Sequence, residues 1–577
     1  MTGLELPPSA VDVDYGALGW GSSRTMSDFE AGMWRLETAE PRLRSTIAAI
    51  DVLDTTPDWA RLVAAHEWAL GVIPRFRMRV VDPPFQLGKP VWSVDPEFDL
   101  DYHLRRVRLS EPGTFEAALE LCRTVVDRPF DRARPPWEAL LIEGLSDGKA
   151  VYLLKTHHSI TDGMGGMQLV TLLHSRRREP TPGKPSALPP PPERLSGLGA
   201  LREQLTDRAR TLPETLVDQA RSGFQLAERV VRDPGSAIEF AQSMLRLAAP
   251  PACPPSPIMR ERGLGRRFGT LETTVDELRA AAKAAGGSLN DAYLAALLGG
   301  FRRYHERMDA PIDLLPIGMP ISLRDSADPM GGNRFGVARF AAPIGIRDPA
   351  DRIRRIRELV LDARAEPAAD ILSLAAPALS RLPVAAVARW YLGQTSLIDL
   401  QASNVAGIPV PVYMAGARID RMFPFAPAPG CGVMATLVSH TGTCCIGVTI
   451  DTAAVTEPDL FLECLSEGLA EVLALAAGGA GKRSTAAAGK PKARKRAATD
   501  GGGTARPRKR AAAASGGATN ASATARPRKR AASTADGAGA GRSRKRAAAP
   551  PDDTAAGGSP TGGAAGDGGP GTRPENT

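Results

Sequence analysis

The sequence predicts a mixed α/β protein of two similar blocks, joined by a proline-bounded helical segment and followed by a disordered tail. Short β-like runs alternate with amphipathic helical stretches in both blocks. At 577 residues the chain is too long for a single hydrophobic core, and its last hundred residues have low complexity. We therefore predict a first domain at 1–178, a helical linker or crossover at 179–259, a second domain at 260–477 and a tail at 478–577.

The first block and the linker have distinct signals. Phe115–Val126 has the apolar spacing of an amphipathic helix, and Ala150–Thr156 is an apolar run typical of a buried strand. The sequence EPTPGKPSALPPPPER begins at Glu179, and its prolines exclude both helix interiors and central strands. Residues 198–247 return to a helical pattern, which a second proline cluster ends. We therefore expect the segment between the blocks to be a linker or crossover rather than part of a sheet.

The second block repeats the alternation of the first. We predict helices at Val275–Ala285 and Leu289–His305, and a strand at Cys444–Ile450. Two blocks of similar size indicate a two-domain enzyme, in which the functional site commonly lies between the domains.

The charge is concentrated in the tail. From Ala480 onward there are 20 lysines and arginines against 6 acidic residues, a net charge of +14, which leaves about −6 of the total +8 for the rest. A basic unit recurs as KARKRAA, RPRKRAA, RPRKRAA and RSRKRAA within Ala- and Gly-rich sequence. Such a segment cannot bury enough apolar surface to fold. Its candidate partners are an anionic membrane, a lipid droplet or nucleic acid, and a merely solubilising role is the alternative.

The N-terminus and the cysteines predict a cytoplasmic protein. The chain has 6 cysteines and no CxxC pair, so neither a disulfide framework nor a zinc site is indicated. Residues 1–15 contain acidic residues and prolines where a signal peptide needs a basic start and an apolar core. We also expect no transmembrane helix, because no apolar run reaches about 18 residues. Any contact with the inner membrane face or lipid droplets would be peripheral.

The most informative stretch is Val151–Met167, an apolar strand that leads into two histidines and a Gly-rich turn. His157 and His158 should point to opposite faces, because side chains alternate along a strand. They are therefore poor ligands for one metal, and we predict no metal site. One imidazole can face a cleft as a general base for an alcohol. Asp162 can shape the turn or pair with a distant arginine, and Gly163 permits a tight backbone approach before a helix predicted at Met167–Arg176.

The string HHSITDG fits the HHxxxDG signature of the chloramphenicol-acetyltransferase-like and condensation-domain superfamily. Further segments narrow the resemblance to the bacterial wax ester synthase/diacylglycerol acyltransferase family, in the order of its motifs. These segments are Phe98–His103, Arg134–Glu138, Ser288–Asp291, Pro320–Arg324, Gly332–Asn333 and Asn404–Gly407. Pro136 and Ala406 depart from the family pattern, which has Leu and Pro there. The resemblance covers roughly residues 10–475 and does not include the tail.

The resemblance implies two chloramphenicol-acetyltransferase-like domains in a pseudo-dimer, with a tunnel between them for acyl-CoA and an acceptor, either diacylglycerol or a long-chain alcohol. His158 would take the acceptor's hydroxyl proton during attack on the thioester, without an acyl-enzyme. No cofactor is expected, since acyl-CoA is a substrate. His157, Asp162 and Gly163 would support the site, with Asp162 paired to an arginine such as Arg324.

Some residues have alternative roles, and the protein has two alternative functions. Asn290 could bind substrate or the oxyanion, or it could be the N-cap of a helix at Asp291–Phe301. Trp137 has the pattern of a buried core aromatic. A condensation-type enzyme with a carrier-bound acyl donor is one alternative function. An inactive homologue that binds a membrane or nucleic acid is the other, although the intact HHxxxDG string argues against decay of the site. No GxSxG, GxxxxGK[ST] or HExxH pattern supports a hydrolase, nucleotide-binding or metalloprotease site.

Overall fold

The computed structural model describes residues 23–161, 163–181, 189–207, 253–322, 335–364, 376 and 379–487. These residues lie in one compact unit, Met1–Pro491. Several predictions concern residues outside this part of the chain, among them Asp162, Arg324, Gly332–Asn333 and most of the basic tail.

Helices and strands alternate along the described chain. The helices are α1 (Asp28–Ala39), α2 (Trp59–Val72), α3 (Leu100–His103), α4 (Phe115–Val126), α5 (Gly163–Leu173), α6 (Val275–Ala284), α7 (Leu289–Arg307), α8 (Pro349–Arg364), α9 (Val384–Thr395) and α10 (Pro458–Ala487). The strands are β1 (Thr46–Leu53), β2 (Met78–Val81), β3 (Val91–Val94), β4 (Leu104–Arg108), β5 (Trp137–Glu143), β6 (Ala150–His157), β7 (Arg266–Thr274), β8 (Leu314–Ser322), β9 (Phe335–Pro343), β10 (Leu400–Val405), β11 (Tyr413–Met414), β12 (Ala417–Phe425), β13 (Val433–His440) and β14 (Thr443–Asp451). Residues 197–207 are also helical.

The first six-stranded sheet has the order β11-β12-β1-β6-β5-β4, in which only β4 and β5 pair in parallel. Strand β1 is central and pairs with β6 on one side and β12 on the other. In its ladder with β12, Ala48 lies opposite Phe425 and Asp51 opposite Met422. Two strands from the second block, β12 and β11, therefore complete the sheet of the first.

The second six-stranded sheet has the order β7-β14-β13-β10-β8-β9, and β10 pairs in parallel with both β13 and β8. Helix α7 lies against α10, where the rings of Phe301 and Phe461 meet edge to face at 4.9 Å. Residues 292–298 of α7 are all buried, as expected for a helix enclosed by other elements rather than lying on a surface. This mixed α/β arrangement confirms the predicted fold class.

Strand β12 also contacts the second sheet. A Cβ atom added to Gly447 of β14 would lie 2.0 Å from the carbonyl oxygen of Pro424, so only glycine permits this approach. Next to this point, the rings of Phe268 and Phe425 stack at a centroid distance of 4.2 Å. The two sheets are therefore joined by close packing as well as by the exchanged strand.

The predicted helix at Phe115–Val126 is confirmed, and its N-cap Thr114 accepts a hydrogen bond from the Ala117 N–H. The predicted helix start at Met167 is wrong, because α5 already begins at Gly163 and ends at Leu173. The glycines that suggested a turn lie inside the helix.

The predicted N-cap at Asn290 is also wrong. Ser288 caps α7: its hydroxyl oxygen accepts from the Asp291 N–H at 3.3 Å, and the Asp291 carboxylate accepts from the Ser288 N–H at 2.7 Å. At the other end of the second block, α10 continues to Ala487, past the predicted boundary at 477. In the described part of the chain, no helix is both long and apolar enough to cross a membrane.

Candidate active site

His157, at the end of β6, is fully buried and is held on all sides. Its Nδ1 accepts from the Ser159 backbone N–H at 3.1 Å, so its proton lies on Nε2, which faces a carboxylate oxygen of Glu37 at 3.3 Å. Trp34 packs edge-on against the imidazole ring, with centroids 5.0 Å apart. His157 is therefore an anchor for the strand end and has no access to substrate.

Glu37 is the ionised partner of this anchor. Burial acts to raise the pKa of Glu37, but the hydrogen bond with His157 and the positive charge of Arg132 outweigh it and hold the pKa below its usual range. Arg132 is fixed in turn, since its guanidinium lies 3.9 Å from the centroid of the Trp34 ring and donates to the Trp34 carbonyl. The polar contacts on this side of the strand thus support one another.

His158 lies on the other side of the backbone and lines a cavity of about 360 Å³. The His158 backbone N–H donates to the Ser45 carbonyl at 2.7 Å, which fixes the chain where it leaves the sheet. The two imidazoles thus point in opposite directions, as predicted. Of the pair, only His158 can reach a molecule in the cavity.

The cavity is built from both blocks. Elements α1, β1, β6 and α5 of the first block and α9, β10, β12 and β13 of the second block contribute lining residues. Most of the lining side chains are aliphatic or aromatic. Few polar side chains line the cavity near His158, and they include Thr156 and Thr161. Leu382 and Trp390 line the cavity but stay about half exposed, at 53% and 48%, so they mark an opening to solvent.

Asn290 does not line the cavity itself. Its side-chain oxygen accepts from the Asn404 amide at 3.4 Å, and Asn404 does line the cavity. The Asn290 amide in turn points to the sulfur of Met319, at 3.8 Å. Asn290 is thus placed to orient Asn404, which lines the cavity with a polar side chain.

The remaining predicted residues divide between the described and undescribed parts of the chain. Gly163 is the first residue of α5. Asp162 and Arg324 lie outside the described residues, so their ion pair stays a prediction. Trp137 is fully buried, and its indole N–H donates to the Phe76 carbonyl at 2.7 Å, which confirms it as a core aromatic. Among the described residues, no group of three or more His, Cys, Asp or Glu could hold a metal ion.

Sequence reasoning missed two residues of this site. Glu37 lies 120 residues before its partner His157, and nothing in its own segment indicates the pairing. Asn404 stood within a recognised motif segment, Asn404–Gly407, but was given no role. The motif position was the one available signal.

Family models match two parts of the chain. The wax ester synthase/diacylglycerol acyltransferase catalytic domain matches residues 26–293, and the C-terminal domain of the same family matches residues 331–472. A Mycobacterium tuberculosis H37Rv protein, named as a candidate diacylglycerol O-acyltransferase, is 40% identical over 444 residues, which cover 76% of this chain and 90% of the relative. The chain belongs to the wax ester synthase/diacylglycerol acyltransferase family. It is thus an acyltransferase.

Other comparisons agree with the family. A Mycobacterium bovis protein, also named as a candidate diacylglycerol O-acyltransferase, is 30% identical and covers 67% of this chain and 84% of its own length. The solved wax ester synthase/diacylglycerol acyltransferase of Marinobacter aquaeolei VT8 is 21% identical, with a TM-score of 0.54, and the match covers 79% of this chain and all of that one.

A condensation domain of the calcium-dependent antibiotic synthetase also matches, with 15% identity and a TM-score of 0.52, over 80% of this chain and 97% of that one. These structural matches establish the fold: two chloramphenicol-acetyltransferase-like domains in a pseudo-dimer arrangement.

Proposed function

We propose that this acyltransferase moves a fatty acyl group from acyl-CoA to the hydroxyl of diacylglycerol or of a long-chain alcohol, with His158 as the general base. The observation that carries the proposal is the position of His158, the histidine of the HHxxxDG string that faces the cavity between the two blocks. The aliphatic walls suit fatty chains, since removing such chains from water is favourable in proportion to their buried area.

The proposed reaction is a direct transfer. His158 takes the proton of the acceptor hydroxyl while the oxygen attacks the thioester carbon. A carbon–oxygen bond forms, the carbon–sulfur bond breaks, and the proton leaves with coenzyme A as the free thiol. The thioester is already activated, so the reaction needs no cofactor and no acyl-enzyme.

The polar residues beside His158 have supporting roles in this proposal. The developing oxyanion needs a hydrogen-bond donor, and the Asn404 amide is the cavity-lining candidate, with Asn290 behind it. His157 and Glu37 fix the backbone from which His158 projects. Asp162 would hold the following turn through Arg324, as the family resemblance implies.

Thiol release from palmitoyl-CoA tests the proposal, with diacylglycerol and hexadecanol as separate acceptors. We expect acceptor-dependent release by the wild type and a loss of about 10²–10⁴-fold in His158→Ala, the range typical of a general base. Thr156→Val is the matched control, because Thr156 lies two residues earlier on the same strand face and lines the same cavity. Its rate should fall by less than about tenfold, since Thr156 takes no part in proton transfer.

The outcomes separate the alternative functions. Equal rates in the wild type and His158→Ala would remove His158 from catalysis. If neither acceptor supports release, a carrier-bound acyl donor becomes the next substrate to try. Inactivity with that donor as well would favour a binding role for an inactive homologue.

A further inference from the structure

Four polar residues lie one step beyond the residues that line the cavity, and the proposed reaction uses none of them. They are Asp51, His66, Tyr152 and His174, which we call the distal polar cluster. The Asp51 and His174 side chains are each only 4% exposed. His66 and Tyr152 meet through a 2.8 Å hydrogen bond between Nε2 and the phenol oxygen.

On the first sheet, residues that line the cavity are followed on the same strand faces by members of this cluster. On β6, Thr156 and Leu154 line the cavity below His158, and the next side chain on the same face is Tyr152. On β1, Ala49 lines the cavity and Asp51 follows it on the same face, directly opposite Tyr152. On both strands, the cluster residue is therefore the next residue on the same face after one that lines the cavity.

Helix α5 and strand β13 converge on the same place. Val170 lines the cavity, and His174 lies one helical turn further on. On β13, Val438 lines the cavity and His440 follows on the same face. Both ring nitrogens of His440 face backbone carbonyls, at 3.0 and 3.1 Å, so His440 is already engaged and lies beside the cluster rather than in it.

Two atoms of the cluster keep unused hydrogen-bonding capacity. Among the described residues, Asp51 Oδ1 and His174 Nδ1 are buried and have no hydrogen-bond partner. The nearest approach between the two side chains, 3.8 Å from Asp51 Oδ2 to His174 Nε2, is too long for a hydrogen bond. Buried polar atoms are almost always paired, so an unpaired acid and imidazole together indicate a missing partner.

Both groups are neutral near pH 7. Burial raises the pKa of Asp51 to about 8. Burial, and then the charges of His440 and His66, lower the pKa of His174 to about 3. A neutral carboxylic acid offers one O–H donor and a carbonyl acceptor, and a neutral imidazole offers one N–H donor and one acceptor nitrogen. A hydroxyl group matches such a pair because it both donates and accepts, whereas a carboxylate only accepts and an aliphatic end does neither.

We propose that the distal polar cluster binds a hydroxyl group at the far end of a substrate chain, with Asp51 and His174 as its partners. The inference rests on the proposed function, because that function places fatty chains in the cavity. His158 is six residues from Tyr152, or roughly 20 Å along an extended strand. An extended alkyl chain with bonds of about 1.5 Å advances about 1.3 Å per carbon, so about 15 carbons span this distance.

The acyl donor and the alcohol acceptor could each carry this hydroxyl, and two arms of one experiment separate them. The first compares 16-hydroxyhexadecanoyl-CoA with palmitoyl-CoA, using hexadecanol as acceptor. The second compares 1,16-hexadecanediol with hexadecanol, using palmitoyl-CoA as donor. We expect the wild-type kcat/KM to favour the hydroxylated chain at least tenfold in one arm. An octanoyl chain with a terminal hydroxyl should gain nothing, because it stops short of the cluster.

Variants then test the named side chains. Asp51→Val and His174→Leu should abolish or reverse the preference for the hydroxylated chain, and Asp51→Asn, which keeps hydrogen-bonding capacity, should retain part of it. Turnover of octanoyl-CoA with hexanol serves as the internal control for folding and chemistry, and it should stay near the wild-type value.

The outcomes are separable. No turnover of palmitoyl-CoA with any acceptor contradicts the proposed function, whereas turnover without a hydroxyl preference in either arm overturns the inference about the cluster alone. A preference that survives in both aliphatic variants also overturns it. If a variant fails to fold, the wild-type comparison of 16- and 8-carbon hydroxylated chains still decides.

Discussion

Glu37 makes the anchor of the active-site strand sensitive to acid. Its folded pKa lies below the usual 4.5, so the stability it contributes is present above about pH 4.5 and is lost as the pH falls through the lower folded value. We predict that Glu37→Gln lowers the free energy of unfolding by about 1–3 kcal/mol at pH 7. Urea unfolding at pH 7 and pH 3.5 should show a smaller difference between mutant and wild type at the acidic pH.

The exposed Glu116 provides a control for this measurement. Glu116→Gln should change stability by less than about 0.5 kcal/mol. An equally large effect of Glu37→Gln at both pH values would show that ionisation of Glu37 contributes nothing.

Asp51 has the opposite linkage. Burial raises its pKa from 3.8 to about 8, so the folded protein holds a proton that the unfolded chain releases, and the stability contribution falls as the pH rises from 4 to 8. We predict that Asp51→Asn is more stable than the wild type at pH 8.5, by at most about 6 kcal/mol, and that the gap closes near pH 4. Thermal unfolding of both proteins between pH 4 and pH 8.5 checks this prediction. A stability difference that does not change with pH would contradict it.

Single residues also differ in whether their position in the site could be predicted from the sequence. His158 was identifiable, because strand alternation separates it from His157 and the HHxxxDG string names the pair. Glu37 and the distal polar cluster were not, since their partners come from residues far apart along the chain. Asn290 had two alternative roles, in binding substrate or the oxyanion and as a helix N-cap, and only the fold shows that Asn404 stands between it and the cavity.

Among the elements, the contact between β12 and β14 depends on one glycine. A Cβ atom at Gly447 would clash with the Pro424 carbonyl at 2.0 Å, so we predict that Gly447→Ala destabilises the protein by about 1–3 kcal/mol, the usual effect of overpacking. Gly393, in α9, has nothing within 4 Å of a Cβ atom. Gly393→Ala should therefore stabilise the protein by about 0.5–1 kcal/mol.

Melting temperatures of the two alanine variants check this prediction together. A fall in melting temperature for Gly447→Ala and a rise for Gly393→Ala is the expected result. Similar melting temperatures would mean that the sheets adjust to the added methyl group.

At the scale of elements, local sequence signals were sufficient to predict single helices, whereas the pairing of distant strands could not be predicted. Helix α4 has apolar residues at helical spacing and a threonine cap, and its predicted bounds are those observed. Helix α5 was predicted too late, because glycines usually punctuate structure and here lie within a helix. The pairing of β12 with β1 could not be predicted, since it joins residues more than 360 positions apart whose sequences do not specify each other.

For the whole molecule, the boundary at Pro491 separates the part of the chain that carries the candidate active site from the strongly basic tail. Residues 492–577 carry 17 lysines and arginines against 6 acidic residues, a net charge of +11. We predict that a variant ending at Pro491 keeps the wild-type melting temperature and its turnover of detergent-dispersed substrates. It should lose any retention on polyanions that weakens with added salt.

Co-sedimentation with phosphatidylglycerol vesicles and gel shift with duplex DNA, each at low and high salt, distinguish the candidate partners. A full-length variant with the RKR triplets changed to QQQ is the matched control for tail length. Equal retention of all three proteins would contradict a polyanion-binding tail and favour a solubilising one.

The exchanged strand has a consequence for how the chain folds during synthesis. Strand β1 ends at Leu53, but its partner β12 is complete only at Phe425, so 372 residues must be translated between them. At about 5–20 residues per second, the ribosome needs roughly 20–70 s for that stretch. Throughout this time one edge of β1, with Ala48, Ile50 and Val52, has no native strand to pair with, and nascent chains expose a template for aggregation. Yield of folded protein should therefore depend on chaperones that bind early in translation.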